Sequence, residues 1–378
     1  MIASTSSRGE ILPLTGLRFV AAFYVFLFHI HIRWPLTSEP FLKSVLDQGA
    51  IGMSLFFVLS GFVLCYQYAG RRVTYTAFIV ARFARIYPIY LIAAILTLPW
   101  MGIASGDGSI SGWFIASAQR AMLAFTNIFL IQAWFPQFFQ LWNDGASWSI
   151  SVEAFCYVLL PLVLPKLGGL SRLKLRVVLV VCLMLAALPG LSATLFDGPA
   201  SSVFYSLPIF RLPEFMCGVC ACLATRTERV SIRGTFSLIA VIVAFIVYLG
   251  IFGSKFSIYV GHNWLTIPVI TFIIFTSATS KGGVSKLLSA SLLRWLGKIS
   301  YCFYSLQALL ILLLIDHHKD LISSFPFLSN NLYLCISALI VLTIASAISH
   351  YLIEEPVRQR IKNMFRDYRN QKPARNFT

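Results

Sequence analysis

The residues of this 378-residue sequence best suited to chemistry are a few polar and ionisable side chains set inside long apolar runs. Arg18 and His29 share the first such run. Their spacing is close to three helical turns, so both side chains would point to one side, roughly 16 Å apart along the axis. An imidazole can take a proton from a hydroxyl near neutral pH. A hydrogen-bonded structural histidine is the alternative role for His29. His31 faces elsewhere and is not paired with it. Glu153, in Ser147-Trp148-Ser149-Ile150-Ser151-Val152-Glu153, is expected at a depth similar to that of His29. A carboxylate there would orient the ring and stabilise its cation; a helix-start carboxylate neutralised by a nearby base is the alternative. Ser149, Glu153 and Tyr157 fall at i, i+4 and i+8, on one helix face.

A second group binds rather than reacts. Arg82 and Arg85, in Arg82-Phe83-Ala84-Arg85-Ile86-Tyr87-Pro88, are at i and i+3 and can grip phosphates bidentately, or can serve only to mark the inner side of a membrane. Pro88 is expected in the first turn of the following helix. Arg211 and Glu214 sit mid-run in Arg211-Leu212-Pro213-Glu214-Phe215, where they could bind or simply pair with each other. Pro213 should kink that helix or free a carbonyl. Ser300, Tyr304 and Gln307 form a polar stripe of the kind that packs helices. Ionisable groups in hydrocarbon cost several kcal/mol unless paired or hydrated, so each is a functional candidate. His317 and His318, with Asp316, Lys319 and Asp320, are expected in a solvated loop. There is no glycine-rich phosphate loop, nucleophile elbow or zinc-protease helix. Eight cysteines, all in apolar segments, read as reduced packing residues. Cys217-x-x-Cys220 lacks a second ligand pair, so no metal is expected.

The elements that must position these groups are membrane helices. The chain is 58% hydrophobic and only 12% charged, with mean hydropathy +0.79, whereas a soluble domain carries about 25% charged residues. Runs long enough to span occur near 14–33, 48–69, 86–103, 147–165, 174–196, 202–224, 232–252, 262–280, 292–314 and 328–352. The net charge of +16 sits in short loops, a topology signal and an attraction for membrane lipid rather than nucleic acid.

With the N-terminus inside and ten alternating spans, the inner segments hold Arg8; Arg71, Arg72, Arg82, Arg85; Lys166, Arg172, Lys174, Arg176; Arg226, Arg229, Arg233; Lys281, Lys286; and Arg358, Arg360, Lys362, Arg366, Arg369, Lys372, Arg375. The outer segments hold only Arg33, Lys43, Arg120, Lys255 and Lys319. Counting 113–134 as a span would reverse this, so it is expected to be a re-entrant or interfacial helix. The expectation is an all-α polytopic protein: a cytosolic segment 1–13, a transmembrane domain 14–352 and a basic cytosolic tail 353–378 that frays beyond an amphipathic start. The first run should remain as a helix rather than be cleaved as a signal.

Seven strings, in order, resemble the membrane-bound acyltransferase 3 family. They are Gly16-Leu17-Arg18-Phe19-Val20-Ala21-Ala22 followed by His29; Gly52-Met53-Ser54-Leu55-Phe56-Phe57-Val58-Leu59-Ser60-Gly61-Phe62; Arg82 to Leu91; Ser147 to Glu153; Arg211 to Phe215; Gly297-Lys298-Ile299-Ser300-Tyr301; and Glu354-Glu355-Pro356. The resemblance covers about 11–360 and implies ten helices with both termini cytosolic, in a bacterial inner (plasma) membrane. It implies a coenzyme A thioester donor, commonly acetyl-CoA, with no permanently bound cofactor, and a carbohydrate or glycolipid acceptor such as polysaccharide or lipopolysaccharide. It implies that His29 is essential and that Arg18, Arg82, Arg85 and Glu153 serve donor binding or chemistry. Arg211, Glu214, Trp148, Ser149 and Tyr157 are further site candidates. Two positions depart from the family: Ser54 stands where an acidic residue is frequent, and Gln307 where a histidine is frequent. Transfer could be direct or pass through an acyl-histidine. A transporter or flippase of an anionic or glycosylated solute is the rival reading, though no inverted repeat is visible. A non-catalytic scaffold would leave the buried Arg18, His29 and Glu153 unexplained. Acceptor identity and oligomeric state are not encoded in any recognisable pattern.

Overall fold

The computed structural model describes residues 9–71, 73–103, 109–139, 141–142, 147–195, 200–225, 233–257 and 259–371. Of the bases counted above, Arg8, Arg72, Arg226, Arg229, Lys372 and Arg375 lie outside the described residues, as do the side chains of Arg233 and Arg369. Helices follow one another as α1 (Leu12–His31), α2 (Pro40–Asp47), α3 (Ile51–Tyr68), α4 (Tyr75–Leu96), α5 (Ile110–Ile128), α6 (Trp148–Gly168), α7 (Arg172–Leu195), α8 (Ala200–Ser206), α9 (Pro208–Ala224), α10 (Arg233–Phe252), α11 (Asn263–Thr279), α12 (Gly283–Leu288), α13 (Ser291–Ser324), α14 (Asn331–Ser349) and α15 (Glu355–Gln371), with no strand among the described residues.

Nine helical stretches among the described residues are long and apolar enough to cross a membrane: α1, α3, α4, α6, α7, the α8–α9 stretch from Val203, α10, α13 and α14 with its continuation. The chain is therefore an integral membrane protein. The expected tenth span, 262–280, is α11, apolar but only 17 residues long. Helix α5 is 19 residues long yet is not among the apolar spans. Ser109 caps α5, its hydroxyl accepting from the Gly112 amide at 2.9 Å. The far end of α5 is tied down by polar groups. Tyr90 donates to Asn127 Oδ1 at 2.9 Å, and Gln132 Nε2 donates to the Ser147 carbonyl at 2.8 Å.

Two boundaries differ from expectation. Helix α4 starts at Tyr75, not near 86, with the Thr74 hydroxyl accepting from the Ala77 amide. Pro88 is therefore interior rather than in the first turn. Arg82 and Arg85 interrupt the apolar run but not the helix, because their side chains face an internal cavity. Helix α13 runs for 34 residues, so His317 and His318 are helical rather than in a loop. The Trp34 ring stacks on His318 at 5.4 Å, and Trp100 Nε1 donates to Asp316 at 2.7 Å, giving this extension partners. The amphipathic start expected for the tail is α15, helical to Gln371 and packed on α4. A π-helical turn, His350–Glu354, joins α14 to α15. Pro213 lies inside α9, and the helix continues through it.

Close helix contact sets the frame. Lipid offers no hydrophobic drive for helix association, so small residues that let backbones approach are the main device. A Cβ on Gly61 of α3 would lie 2.0 Å from the Phe215 carbonyl oxygen of α9. One on Gly218 of α9 would lie 1.9 Å from the Val58 oxygen of α3. The same device joins α13 to α1, where Gly297 abuts the Thr15 carbonyl.

Beside the α3–α9 seam lies a neutralised ion pair. Arg211 Nη1 and Glu214 Oε1 are 2.7 Å apart, both side chains fully buried at 0% exposure. Arg211 Nη2 donates to Ser54 Oγ at 3.1 Å, and Asn263 Nδ2 donates to Glu214 Oε1 at 3.3 Å. The Phe57, Trp148 and Tyr205 rings surround the guanidinium at 5.1, 5.8 and 5.2 Å. Arg211, Glu214 and Trp148 thus form one buried knot.

Two outcomes follow from this packing. Gly218→Val should overpack the seam, costing about 1–3 kcal/mol or more, read as a lower unfolding temperature of detergent-solubilised protein; an unchanged melt would refute the contact. Glu214→Ala strands a buried guanidinium and should cost about 3–5 kcal/mol. The double variant Arg211→Met with Glu214→Leu should recover much of that loss in the same melting assay.

Candidate active site

A cavity of about 60 Å³ lies between α1, α3, α4, α6 and α13. Its walls include Arg18 from α1, Ser60 from α3, Arg82 and Arg85 from α4, Ser149, Glu153 and Tyr157 from α6, and Ser300, Tyr301 and Tyr304 from α13. Helical spacing explains the α6 wall: Ser149, Glu153 and Tyr157 share one face, while the adjacent Trp148 turns to the Arg211 knot.

Hydrogen bonds fix the polar groups. Ser60 Oγ donates to Glu153 Oε1 at 3.2 Å, and the Tyr157 hydroxyl donates to Glu153 Oε2 at 2.6 Å. Arg82 Nη2 reaches the Tyr68 hydroxyl at 3.4 Å and lies 5.6 Å from the ring centroid. Arg82 Nε is buried without a hydrogen-bond partner. The Tyr301 hydroxyl donates to the Ile86 carbonyl at 2.5 Å, fastening α13 to the turn that carries Arg82 and Arg85. Three guanidiniums thus line the cavity against one carboxylate. Lys362 of α15 lies within electrostatic reach of Arg82 and Arg85, adding positive charge at that end.

Just behind Arg85 is a buried cluster. His350 Nδ1 and Glu354 Oε2 are 2.9 Å apart, and Cys302 Sγ donates to the same oxygen at 3.1 Å. Glu354 also feels the charge of Arg85. The three ligand-type atoms lie within 4.8 Å of one another, the one such group that could hold a metal among the described residues. The hydrogen bonds already account for that geometry. All eight cysteines are free, and Cys217 and Cys220 belong to no such group.

At the far end of the cavity from the arginines, Ser149 Oγ and the Tyr304 hydroxyl are 2.8 Å apart. One turn further along α13, the Gln307 amide meets His29 Nδ1. His29 is not on the cavity wall.

The structure therefore brings together Arg18, Arg82, Arg85, Ser149, Glu153 and Tyr157, and separates His29 from Glu153. The expected His29–Glu153 pair does not form. Both oxygens of Glu153 are engaged by Ser60 and Tyr157, and the imidazole takes its partner from α13 instead. His31 is a separate buried group whose Nδ1 accepts from the Leu36 amide at 3.0 Å. Sequence reasoning passed over Ser60, Tyr68, Tyr301 and Glu354 as site residues. For Glu354 a signal existed, a carboxylate closing the last apolar run. For Ser60 and Tyr301 the signal was their place in the family-like strings, and for Tyr68 there was none, since apolar helices contain many tyrosines.

Comparison with known proteins gives the family. The acyltransferase domain family matches residues 12–350. The chain is 28% identical over 232 residues to acyltransferase MdmB of Streptomyces mycarofaciens, covering 57% of each chain. It is 23% identical over 384 residues to YrhL of Bacillus subtilis, whose name assigns it provisionally to peptidoglycan O-acetyltransfer. That match covers 95% of this chain and 56% of YrhL. It is 36% identical over 97 residues, a quarter of its length, to protein 2 in the picA locus of Rhizobium radiobacter. The chain thus spans a little over half the length of the first two curated relatives. No solved structure matches it. A family match across nearly the whole chain, on a helical bundle holding a basic internal cavity, means that this chain belongs to the acyltransferase domain family.

Proposed function

We propose that the chain is an O-acyltransferase that moves an acyl group, acetyl in the first instance, from acyl-CoA to a hydroxyl of a carbohydrate-bearing acceptor. The observation that carries this reading is the charge of the cavity, whose wall sets Arg18, Arg82 and Arg85 against Glu153, with Glu354 behind Arg85 still leaving positive charge in excess. Buried guanidiniums in excess are stable only if an anion or water answers them. A donor bearing phosphates on a slender acyl-carrying arm supplies both the anion and the reach. Family membership does not favour the transport reading.

The phosphates meet Arg82 and Arg85 at the basic end, on the cytosolic side, and the pantetheine arm enters the cavity. The arm lies along the cavity toward the Ser149–Tyr304 contact. His29 then lies about one helical turn ahead of the thioester, a rise of roughly 5 Å. The imidazole accepts the acceptor's hydroxyl proton as its oxygen attacks the thioester carbonyl. The new C–O bond forms, the C–S bond breaks, and the leaving sulfur takes the proton back from His29. Glu153, held by Ser60 and Tyr157, stays on the donor side and balances the guanidiniums. The acceptor approaches from the end of the bundle opposite the N-terminus, in a bacterial inner membrane with both termini cytosolic.

Purified protein in lipid nanodiscs, radiolabelled acetyl-CoA and candidate glycans test this. His29→Ala should lower transfer by about 100-fold or more while melting and donor binding stay normal; near-normal transfer would refute the assignment. Arg82→Ala and Arg85→Ala should each raise the donor KM by about 10-fold, the scale of one lost charge-assisted contact, with a smaller effect on kcat. A fall in kcat alone would place the phosphates elsewhere.

A further inference from the structure

The partner of His29 is an amide, and an amide has two unlike faces. In the structure Gln307 Nε2 faces His29 Nδ1, while Gln307 Oε1 is buried with no hydrogen-bond partner. An amide nitrogen only donates, so Nδ1 is the acceptor in this arrangement and the neutral ring carries its proton on Nε2. Among the described residues Nε2 has no hydrogen-bond partner, so it is the nitrogen left for a substrate. With a proton already on it, it cannot accept another.

Turning the amide by half a rotation exchanges two groups of almost equal size. Oε1 then accepts from Nδ1–H, and the Nε2 lone pair is exposed. After proton transfer the imidazolium has an N–H at both nitrogens. An amide N–H facing Nδ1–H would then set donor against donor, whereas Oε1 answers it. We infer that Gln307 is the positioning residue of this site: its side-chain oxygen, turned to Nδ1, holds His29 in the tautomer that can take a hydroxyl proton and steadies the cation that results. This rests on the acyl-transfer reading above and adds to it a rotatable, uncharged partner in place of the carboxylate that usually stands behind a catalytic histidine. A neutral amide also avoids adding a further buried anion to the helix interfaces.

Two substitutions separate an oxygen acceptor from a merely space-filling side chain. Gln307→Glu keeps an oxygen toward Nδ1 and removes the N–H. Gln307→Met keeps the length and removes both. In the nanodisc transfer assay Gln307→Glu should retain activity to within about 10-fold. Gln307→Met should lose about 100-fold or more in kcat, with the donor KM within about 2-fold of the parent. Nitrogen-15 NMR of histidine-labelled protein carrying a non-transferable acyl-CoA analogue should show the Nδ1 of His29 protonated; this measurement stands even if the Gln307→Glu variant does not insert, since it uses the parent chain. Transfer by Gln307→Met at the parent rate, a folded Gln307→Glu variant as inactive as Gln307→Met, or a proton on Nε2 in the donor complex would each overturn the inference. None of these would touch the acyl-transfer reading, which stands or falls with His29→Ala.

Discussion

A guanidinium inside a bilayer must find a carboxylate, water or a ligand anion, and everything at this site follows from how that demand is met. The chain meets it in two ways. Arg211 is matched one to one by Glu214, ringed by aromatic faces and wholly excluded from solvent. Arg18, Arg82 and Arg85 share a cavity with one carboxylate. The first arrangement is balanced in charge within itself, although Arg211 Nε and Glu214 Oε2 are buried without a hydrogen-bond partner. The second is open, and its surplus of positive charge is a demand that an anionic ligand can satisfy.

The bundle holds these two arrangements side by side through backbone contacts with little tolerance. The Gly61–Gly218 seam sets the distance between α3 and α9, so Ser54 on α3 reaches Arg211 on α9. The Gly297 contact with α1 sets the distance between α1 and α13. That second contact controls two features at once: Tyr304 on the cavity wall, and Gln307 against His29 one turn further on. The cavity's charges and the imidazole are thus kept at fixed separation by rigid helices rather than loops, as a site needing precise placement requires. The π-helical turn at His350–Glu354 has a related part, placing a buried carboxylate within the field of Arg85 from behind.

Most of the architecture was legible in the sequence for one reason: the bilayer imposes its constraints locally. Twenty or so apolar residues must span, and bases must gather on one side. Apolar length and loop charge therefore located most spans and kept 113–134 out of the count, and helical spacing put Ser149, Glu153 and Tyr157 on one face. The seven strings gave the family. The misplaced start of α4 has the same origin, since hydropathy sees Arg82 and Arg85 as an end to the apolar run when they are an internal polar wall.

Side-chain partnership is decided elsewhere. The type and spacing of Arg18, His29 and Glu153 were enough to nominate all three, because a charge or an imidazole in hydrocarbon is costly wherever it points. Which group meets which depends on the rotation of α1 against α13 and of α6 against α3. A helix can turn by one residue with almost no change in its own pattern. That rotation gave Glu153 to Ser60, beside the Tyr157 of its own helix, and gave His29 to Gln307, 278 positions away. Only the packed bundle could choose between those partners, since the choice is made by backbone contacts between helices far apart in the chain.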